Sequence, residues 1–453
     1  MKKLILLAVI LLATFVNAKT PNEIKKPVLP YYKLPVGKKL IYTTTNETKG
    51  TKMSYGSKTQ TQFWVYERNA DSSYRIIVNQ NISSYQMQDT IQKESEPQII
   101  WAYFDIFANG IIKDNVSLSN FDPTAYFIPL PTDTLIANSG WERFDSSSQE
   151  RTHYLVENKN LSDNVWTIQI NKETPFDSIY LVSTKSLAYL DLKQGLMTKK
   201  EIEVNRGYGY GAGKTTGLVT LDSIKLFDTV GFKPFVNELI SYFQAESVYN
   251  KILEKVEYNS PDMNSLMASA KNVLDEVLTN AKDSIIKSML NEDLASHEQL
   301  KTSLTDDSLW FAKTINKKAA DWKLKDLSEK FRTLKEYRGK IVILDFWYRG
   351  CPWCIRAMPM INQIAKDFSI SPVAVLGMNI DKDKNDALFV IDKMKLVYPS
   401  LQAGDTYKKY GVTGFPTLFV IDKKGIIRDI HIGYSPDLGL KVSNKITSLL
   451  KTK

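Results

Sequence analysis

Cysteine and histidine are scarce in this sequence, which has two Cys and three His among its 453 residues. Exported proteins that depend on disulfides for their stability carry several pairs, so two cysteines exclude a disulfide-rich scaffold. A tetrahedral zinc site would need two ligands beyond the cysteines. The histidines, His153, His297 and His431, show no H-x-x-x-H spacing. Zinc binding is therefore the weaker interpretation of the cysteine pair.

Long hydrophobic runs and clustered charge are also scarce. The one long apolar run, residues 4–16, is shorter than the ~20 residues that a membrane-spanning helix needs. The net charge is +9, but Lys and Arg are scattered among Asp and Glu, without a basic arm or a basic helix face. The sequence therefore predicts a soluble chain that does not bind nucleic acid.

The first 18 residues have the pattern of a secretory signal peptide. Lys2 and Lys3 precede the apolar run, and Ala18 supplies the small residue expected at a cleavage site. We therefore predict cleavage after Ala18 and a periplasmic or secreted location. An uncleaved N-terminal anchor is the alternative.

A glycine-rich segment, residues 206–217 (RGYGYGAGKTTG), is similar to a phosphate-binding loop but lacks its spacing. Tyr208 stands where the first glycine of that loop is required. The residues that follow look like a strand, so no helix N-terminus is available for a phosphate. We predict a connection between two strands, with no nucleotide and no other cofactor.

The chain has the length of a multidomain protein, and residues 19–234 have the pattern of an antiparallel β-rich N-terminal domain of unknown role. Asn109-Gly110 between two short apolar runs is a strong hairpin signal. We expect a sheet that is closed or sandwiched. Its strand-like segments include residues 62–67, 74–79, 165–170, 179–183 and 202–205. Trp64, Trp101, Trp141 and Trp166 are interpreted as core and edge residues of this sheet rather than as a ligand site.

The pattern changes after the β-rich segment. Residues 235–316 carry apolar side chains at helical spacing, and Ser260-Pro261-Asp262 marks a helix start. This helical middle segment could be a small bundle, a dimerisation element or a spacer. Residues 317–453 alternate strands and helices and end in a hairpin and a helix, which predicts an α/β sandwich.

The two cysteines lie in Cys351-Pro352-Trp353-Cys354, between a strand-like run and a helix-like stretch. A cysteine in the first turn of a helix faces unpaired backbone N–H groups and the positive end of the helix dipole, which stabilise a thiolate. A structural bridge of this size removes only ~2 kcal/mol of unfolded-state entropy. The spacing therefore favours a redox dithiol over a structural bridge or half of a metal site.

The C-terminal segment resembles thioredoxin-fold proteins at several motifs. Residues 341–354 (IVILDFWYRGCPWC) resemble their active-site strand and turn, and residues 410–420 (YGVTGFPTLFV) resemble their cis-proline segment. Residues 319–324 (AADWKL) and 337–340 (YRGK) are similar to the opening of the TlpA-like branch, the exported thiol–disulfide oxidoreductases. The resemblance covers the last third of the chain and implies a thioredoxin fold for residues 317–453.

The resemblance also implies roles for single residues. Cys351 would be the exposed nucleophile and Cys354 the resolving cysteine. Asp345 occupies the buried-acid position and would accept a proton from Cys354, or it is a structural strand carboxylate; the lysine that accompanies this acid in thioredoxins aligns with Gly377. The residues expected to form the substrate-binding surface, or to pack under it, are Phe415, cis-Pro416, Trp353 and Trp347.

The predicted function is exchange of disulfides with envelope proteins, more as a reductant than as an oxidant. A membrane thiol relay is the expected electron donor, since the chain carries no relay segment of its own. Pro352 and Trp353 tune the potential in a direction that the motif does not reveal. One alternative is a client- or envelope-binding protein acting through the N-terminal β domain, with an accessory redox domain. Another is a thiol peroxidase, which Tyr348 disfavours because a Thr is expected at that position.

Overall fold

The protein is described by a computed structural model. The structure describes residues 30–50, 54–88, 91–113, 121–131, 140–145, 150–157, 164–174, 177–208, 212–256 and 260–451. The predicted signal peptide, residues 1–18, lies outside these ranges. No helix within them is both long enough and apolar enough to span a bilayer.

The N-terminal region is a single large antiparallel sheet of eleven strands. The strands are β1 (Lys38–Gly50), β2 (Ser54–Arg68), β3 (Tyr74–Gln88), β4 (Ile91–Glu94), β5 (Gln98–Ile106), β6 (Gly140–Asp145), β7 (Glu150–Val156), β8 (Val165–Glu173), β9 (Val182–Asp191), β10 (Leu196–Arg206) and β11 (Gly213–Leu226). Their order is β4-β3-β2-β1-β11-β10-β9-β8-β7-β6, with β5 paired to β3. A four-residue helix, α1 (Asp177–Tyr180), lies between β8 and β9.

The ends of this sheet correct the expected topology. The terminal strands β4 and β6 are not paired with each other among the described residues, and all eleven strands share one sheet. The expectation of a closed or sandwiched sheet is therefore wrong. The expected strand at residues 179–183 is also wrong at its start, because Ile179 and Tyr180 belong to α1. A period-two pattern over five residues is too short to distinguish a strand from a single helical turn.

Glycine at one position explains the chain reversal at Asn109-Gly110. Gly110 has a φ of 79°, in the left-handed region that only glycine adopts without strain, and its N–H donates to the carbonyl of Phe107. A bridge between Ile106 and Ile112 closes this turn. The Asn109-Gly110 signal is thus confirmed as a reversal of the chain.

The sheet is buried on both faces near β2. Phe63 and Val65 point into one apolar core, where Phe63 meets the rings of Tyr126 (4.9 Å between centroids) and Phe127 (5.2 Å) from the connection between β5 and β6. Trp64, between them on the strand, points to the opposite face. Because side chains alternate along a strand, one strand supplies two separate cores.

Three helices cover that opposite face. They are α2 (Thr229–Leu253), α3 (Met263–Asn280) and α4 (Ser284–Thr314). Asp228 and Asp283 cap α2 and α4 by accepting hydrogen bonds from the first-turn N–H groups, while Asp262 stands at the start of α3 as the sequence predicts. Leu239 of α2 and Leu290 of α4, both buried, pack with Trp64 in one cluster.

The C-terminal part has a five-stranded mixed sheet in the order β16-β15-β14-β17-β18 and a small two-stranded sheet. Its strands are β12 (Lys323–Lys325), β13 (Phe331–Thr333), β14 (Ile341–Trp347), β15 (Val373–Asn379), β16 (Ser400–Gln402), β17 (Thr417–Ile421) and β18 (Ile427–Ile432). Its helices are α5 (Pro352–Asp367), α6 (Lys384–Met394), α7 (Thr406–Lys409) and α8 (Leu438–Lys451). β14 runs parallel to β15 and antiparallel to β17.

Two cores flank this sheet and set the position of the cysteines. Ile341 and Ile343 of β14 pack with α5 and α8 on one face. Val342 and Leu344 point to the other face, where the end of α4 contributes Trp310, whose ring lies 6.2 Å from that of Phe419. The buried strand β14 therefore ends just before the start of α5, where the cysteines lie.

Candidate active site

The dithiol occupies the first turn of α5. Cys351 is the N-cap residue, with extended backbone, and Pro352 takes the first helical position, where its missing N–H costs nothing. The helix start expected at this motif is thus confirmed. Cys351 and Cys354 are joined by a disulfide, so the structure represents the oxidised state.

The helix start creates a favourable environment for a thiolate. The backbone N–H of Cys354 donates to Sγ of Cys351 at 3.0 Å. In the reduced protein the same N–H and the positive end of the α5 dipole face the Cys351 sulfur, and both stabilise its anionic form. The helix start therefore favours a thiolate at Cys351.

Both sulfurs are buried. Cys351 is 3% exposed and Cys354 is 1% exposed. The expectation of an exposed Cys351 is wrong, because an apolar cluster surrounds the pair, with Ile355 and Met358 from α5 and Ile179 from the N-terminal region. The local motif predicts where the cysteine stands on its helix, but not what packs over it.

The segment expected to hold a cis-proline lies beside the dithiol. The Phe415–Pro416 peptide bond is cis, and Pro416 is buried. The Phe415 ring contacts those of Tyr348 (5.3 Å between centroids) and Tyr407 (5.8 Å), and Phe415 packs against the apolar cluster around the cysteines.

The two tryptophans of the expected substrate surface have opposite exposures. Trp353, between the cysteines, is 53% exposed and stacks on Tyr434 at 6.0 Å, with the Arg356 guanidinium over its ring. Trp347 is 0% exposed and packs beneath the dithiol in the same cluster as both cysteines. Trp347 therefore supports the site from below, and its burial does not fit the expected contact with substrate.

Asp345 lies in the core on the same face of β14 as Trp347, since the two are separated by one residue. It is 1% exposed, and the hydroxyl of Tyr398 donates to its Oδ2 at 3.2 Å. Burial raises the pKa of Asp345 to about 7, although the hydrogen bond from Tyr398 acts in the opposite direction. A carboxyl with this pKa exchanges protons near neutral pH.

Asp345, Trp347 and Ser400 each carry a buried polar atom without a hydrogen-bond partner among the described residues. These atoms are Oδ1 of Asp345, Nε1 of Trp347 and Oγ of Ser400. Asp345, Gly377 and Ser400 occupy one row across β14, β15 and β16. A Cβ on Gly377 would collide with the Ser400 hydroxyl and lie 2.8 Å from Trp347 Nε1. The missing side chain at Gly377 thus leaves room for the Ser400 hydroxyl and the Trp347 indole nitrogen.

Sequence reasoning missed Tyr398 and Ser400. Both lie more than 50 positions from Asp345 in the chain, and no motif surrounds them. Tyr398 reaches the acid through a long-range hydrogen bond, and Ser400 enters the same row through the register of β16 against β15, so the sequence carried no local signal for either residue.

The chemistry available here is that of a dithiol at a helix start, with a buried acid on the strand that leads to it. Within the described ranges, no group of three or more His, Cys, Asp or Glu side chains is placed to hold a metal ion. A buried disulfide at a helix start, a cis-proline beside it and a titratable carboxyl in the core together suit thiol–disulfide exchange.

Comparisons with known proteins agree with this chemistry. The family model described as AhpC/TSA family matches residues 315–430. The thioredoxin-like protein YneN of Bacillus subtilis is 32% identical over 118 residues, which cover 25% of this chain and 69% of that protein. The thiol-disulfide oxidoreductase ResA of Geobacillus thermodenitrificans is 32% identical over 124 residues, 27% of this chain and 71% of that protein.

Among solved structures, the thioredoxin domain of a thiol-disulfide oxidoreductase from Bacteroides vulgatus is similar, with 24% identity and a TM-score of 0.28. The similarity covers 29% of this chain and 98% of that one. The sequence relatives carry the assignment, since they are 32% identical and are matched over more than two thirds of their own length. Through its C-terminal domain, the chain belongs to the family of thioredoxin-like thiol–disulfide oxidoreductases.

Proposed function

We propose that this protein is an exported thiol–disulfide oxidoreductase that reduces disulfides of cell-envelope proteins through Cys351 and Cys354. The observation that carries the proposal is the placement of the pair: Cys351 caps α5, next to the cis Phe415–Pro416 bond. The signal-peptide pattern of residues 1–18 supports export.

The reaction proceeds in two exchanges. The Cys351 thiolate attacks one sulfur of a partner disulfide, forming a mixed disulfide and releasing the first partner thiolate. Cys354 then loses its proton and attacks Sγ of Cys351. This step forms the intramolecular disulfide and releases the second partner thiolate. Two electrons pass from the dithiol to the partner, and an external dithiol, such as a membrane thiol relay, must return them.

Asp345 serves the second exchange. The resolving Cys354 is buried, so its proton cannot pass directly to bulk water. A carboxyl whose pKa lies at about 7 takes up a proton near neutral pH and returns it when the dithiol is reduced again. We assign Asp345 as the base of the resolving step.

The cis-proline segment supports binding of an extended partner chain. A cis peptide bond turns the backbone of the preceding residue outward, where its carbonyl and N–H can pair with a partner strand. Phe415 is partly exposed and stands at this position beside Tyr348. Trp353, which is half exposed, supplies an apolar contact on the other side of the dithiol.

Trapping of the mixed disulfide tests the exchange mechanism. Cys354→Ser should accumulate a mixed disulfide between Cys351 and a model disulfide protein, because the resolving thiol is missing. Cys351→Ser, the matched control, should form none and should have no exchange activity. If the Cys354→Ser variant forms no mixed disulfide with any disulfide protein offered, the proposed reaction is wrong.

The midpoint potential of the couple tests the direction. Titration against glutathione buffers should give a value near or below about −250 mV for a reductant, whereas a value near about −120 mV would make the protein an oxidant. The N-terminus of the mature protein, determined after expression of the whole chain, tests export and cleavage after Ala18.

A further inference from the structure

Part of the N-terminal region lies against the dithiol. Ile179 in the middle of α1 is 1% exposed and belongs to the same apolar cluster as Cys351 and Cys354. The helix α1 also packs against α6 of the C-terminal domain. An isoleucine from a surface turn of the large sheet is therefore buried at the reactive pair of a different part of the molecule.

Arg349, two positions before Cys351, fixes this contact. Its Nε and Nη2 donate to the carbonyl of Ile179 at 3.3 and 2.8 Å, and its Nη1 donates to Oδ1 of Asp386 at 2.9 Å. Arg349 is only 7% exposed. A buried guanidinium must have its donors satisfied, and the Ile179 carbonyl satisfies two of its N–H groups.

Tyr208 of the glycine-rich connection between β10 and β11 adds a second contact. The Arg349 guanidinium lies 3.6 Å from the centroid of the Tyr208 ring and 4.1 Å from that of Phe389 in α6. A cation over an aromatic face is attracted more strongly where water is excluded. Arg349 is thus held by one ring from each part of the molecule.

A glycine joins the two contacting segments. The N–H of Gly207 donates to the carbonyl of Leu181 at 3.1 Å, which ties the end of α1 to the residue next to Tyr208. A Cβ on Gly207 would lie 2.8 Å from Cβ of Leu181, so a larger residue would force the two segments apart. Gly207 therefore has a structural role unrelated to phosphate binding.

From these contacts we infer that α1 and Tyr208 form a cover over the dithiol, and that Ile179 and Arg349 determine which disulfides reach Cys351. The inference deepens the proposed function and rests on it, since it concerns access of partners to the same cysteine. A small disulfide or an extended segment enters with little displacement of the cover. A bulky folded partner must first separate Ile179 from the apolar cluster.

Arg349 links the covered and uncovered states. When the cover leaves, Arg349 loses Ile179 and Tyr208 but keeps Asp386 and Phe389, which belong to its own domain. The N–H groups that served the Ile179 carbonyl then face the entering chain. A backbone carbonyl of the partner satisfies them in the same way, so partners that offer a carbonyl beside their disulfide compete best with the cover.

The test measures access to Cys351 directly. In the full-length chain with Cys354→Ser, Cys351 is the single thiol, and its alkylation is followed with iodoacetamide and with a maleimide carrying a long polyethylene glycol chain. Ile179→Asp places a carboxylate in the apolar cluster. We expect it to raise the rate constant for the bulky maleimide relative to iodoacetamide by about tenfold or more, since an unpaired buried carboxylate strongly disfavours the covered state.

Ser178→Asp is the matched control, because it adds the same charge to an exposed position of the same helix. It should leave the ratio of the two rate constants unchanged. Ile179→Ala, a milder change that keeps the chain folded, should raise the ratio less than Ile179→Asp does. Equal ratios in wild type, Ile179→Ala and Ile179→Asp would overturn the inference.

A parallel assay separates this inference from the proposed function. With both cysteines present, exchange with oxidised glutathione is measured in the same variants. If Cys351 is alkylated but no variant exchanges disulfides, the proposed function is wrong. The ratio of the two alkylation rate constants then still shows whether α1 and Tyr208 cover the cysteine. If exchange proceeds and the ratio does not respond to Ile179, the proposed function stands and the cover is wrong.

Discussion

The hydroxyl of Tyr398 donates a hydrogen bond to Oδ2 of Asp345 at 3.2 Å, inside the core of the C-terminal part of the protein. Oδ1 of the same carboxyl has no partner among the described residues. One hydrogen bond does not compensate a carboxylate for the loss of water, so the neutral acid is favoured in the fold and the pKa rises to about 7. We therefore expect the stability of the fold to depend on pH through this pair and, under the proposed role of Asp345, the rate of the resolving step as well.

We predict that Asp345→Asn removes part of the pH dependence of stability. The folded chain keeps the Asp345 proton up to about pH 7, whereas the ordinary pKa of an aspartic acid is 3.8. Between pH ~4 and ~7 the folded state therefore holds a proton that the unfolded state has lost, so the free energy of unfolding falls as pH rises, by up to about 4 kcal/mol. Calorimetry of the oxidised proteins should show that the free energy of unfolding of Asp345→Asn rises relative to that of wild type as the pH increases across this window. A difference that does not vary with pH would contradict the prediction.

We predict that Tyr398→Phe shifts the pH profile of exchange upward. The hydrogen bond from Tyr398 lowers the Asp345 pKa, so its loss raises that pKa further. The resolving step by Cys354 should then need a higher pH, while the first attack by Cys351 should not change. Rapid-mixing measurement of the two steps over pH separates them, and an unaltered resolving step would remove Asp345 from the proton path.

The position of the dithiol at a helix start could be predicted from the sequence because it depends only on neighbouring residues. Cys351 caps α5 since Pro352 begins the helix and a buried strand precedes it, and all three signals lie within a few residues. The cis bond at Phe415–Pro416 likewise lies within the motif that predicts it. The start of α3 at Asp262 and the turn at Asn109-Gly110 also lie where local signals predict them, although the Asp262 side chain forms no capping hydrogen bond.

Contacts between residues that are far apart in the chain could not be predicted from the sequence. Tyr398 reaches Asp345 from 53 positions away, and Arg349 meets the Ile179 carbonyl from 170 positions away. Neither contact leaves a periodicity or a motif in the chain. The burial of Cys351 and the open ends of the eleven-stranded sheet depend on such contacts, and for that reason both differ from the expectation.

We predict that Gly377→Ala destabilises the C-terminal domain through Ser400 and Trp347. The added Cβ would collide with the Ser400 hydroxyl and lie 2.8 Å from Trp347 Nε1, and overpacking of this kind costs about 1–3 kcal/mol. Ser400→Ala removes the hydroxyl, and the Ser400 Cβ lies 3.2 Å from the new atom, a contact that a small shift relieves. The double variant Gly377→Ala/Ser400→Ala should therefore recover part of the loss.

A double-mutant cycle measures this coupling by thermal unfolding of wild type, both single variants and the double variant. We expect the double variant to lose less stability than the sum of the losses in the two single variants. If the two changes are additive, the Ser400 hydroxyl is not what limits the space at Gly377, and the row across β14, β15 and β16 does not explain the glycine.

We predict that Trp353→Ala weakens reaction with protein disulfides more than reaction with small ones. Trp353 is 53% exposed and is held by Tyr434 and the Arg356 guanidinium, so its exposed part is preorganised for contact with a partner. A tryptophan at the centre of an interface contributes about 2 kcal/mol or more, which corresponds to roughly a thirtyfold loss in kcat/KM for a protein partner. Exchange with oxidised glutathione should change much less, because that molecule is too small to cover the ring.

The midpoint potential distinguishes this contact from an electronic effect on the dithiol. Trp353 lies between the cysteines, so its loss could also alter the stability of the Cys351 thiolate. An electronic effect would move the potential and slow both substrates together, whereas loss of a contact slows only the protein partner. Tyr434→Ala, which removes the ring behind Trp353 without touching the motif, should give a smaller loss of the same selectivity. Equal losses for both substrates in Trp353→Ala would place this residue in the chemistry of the couple rather than in partner binding.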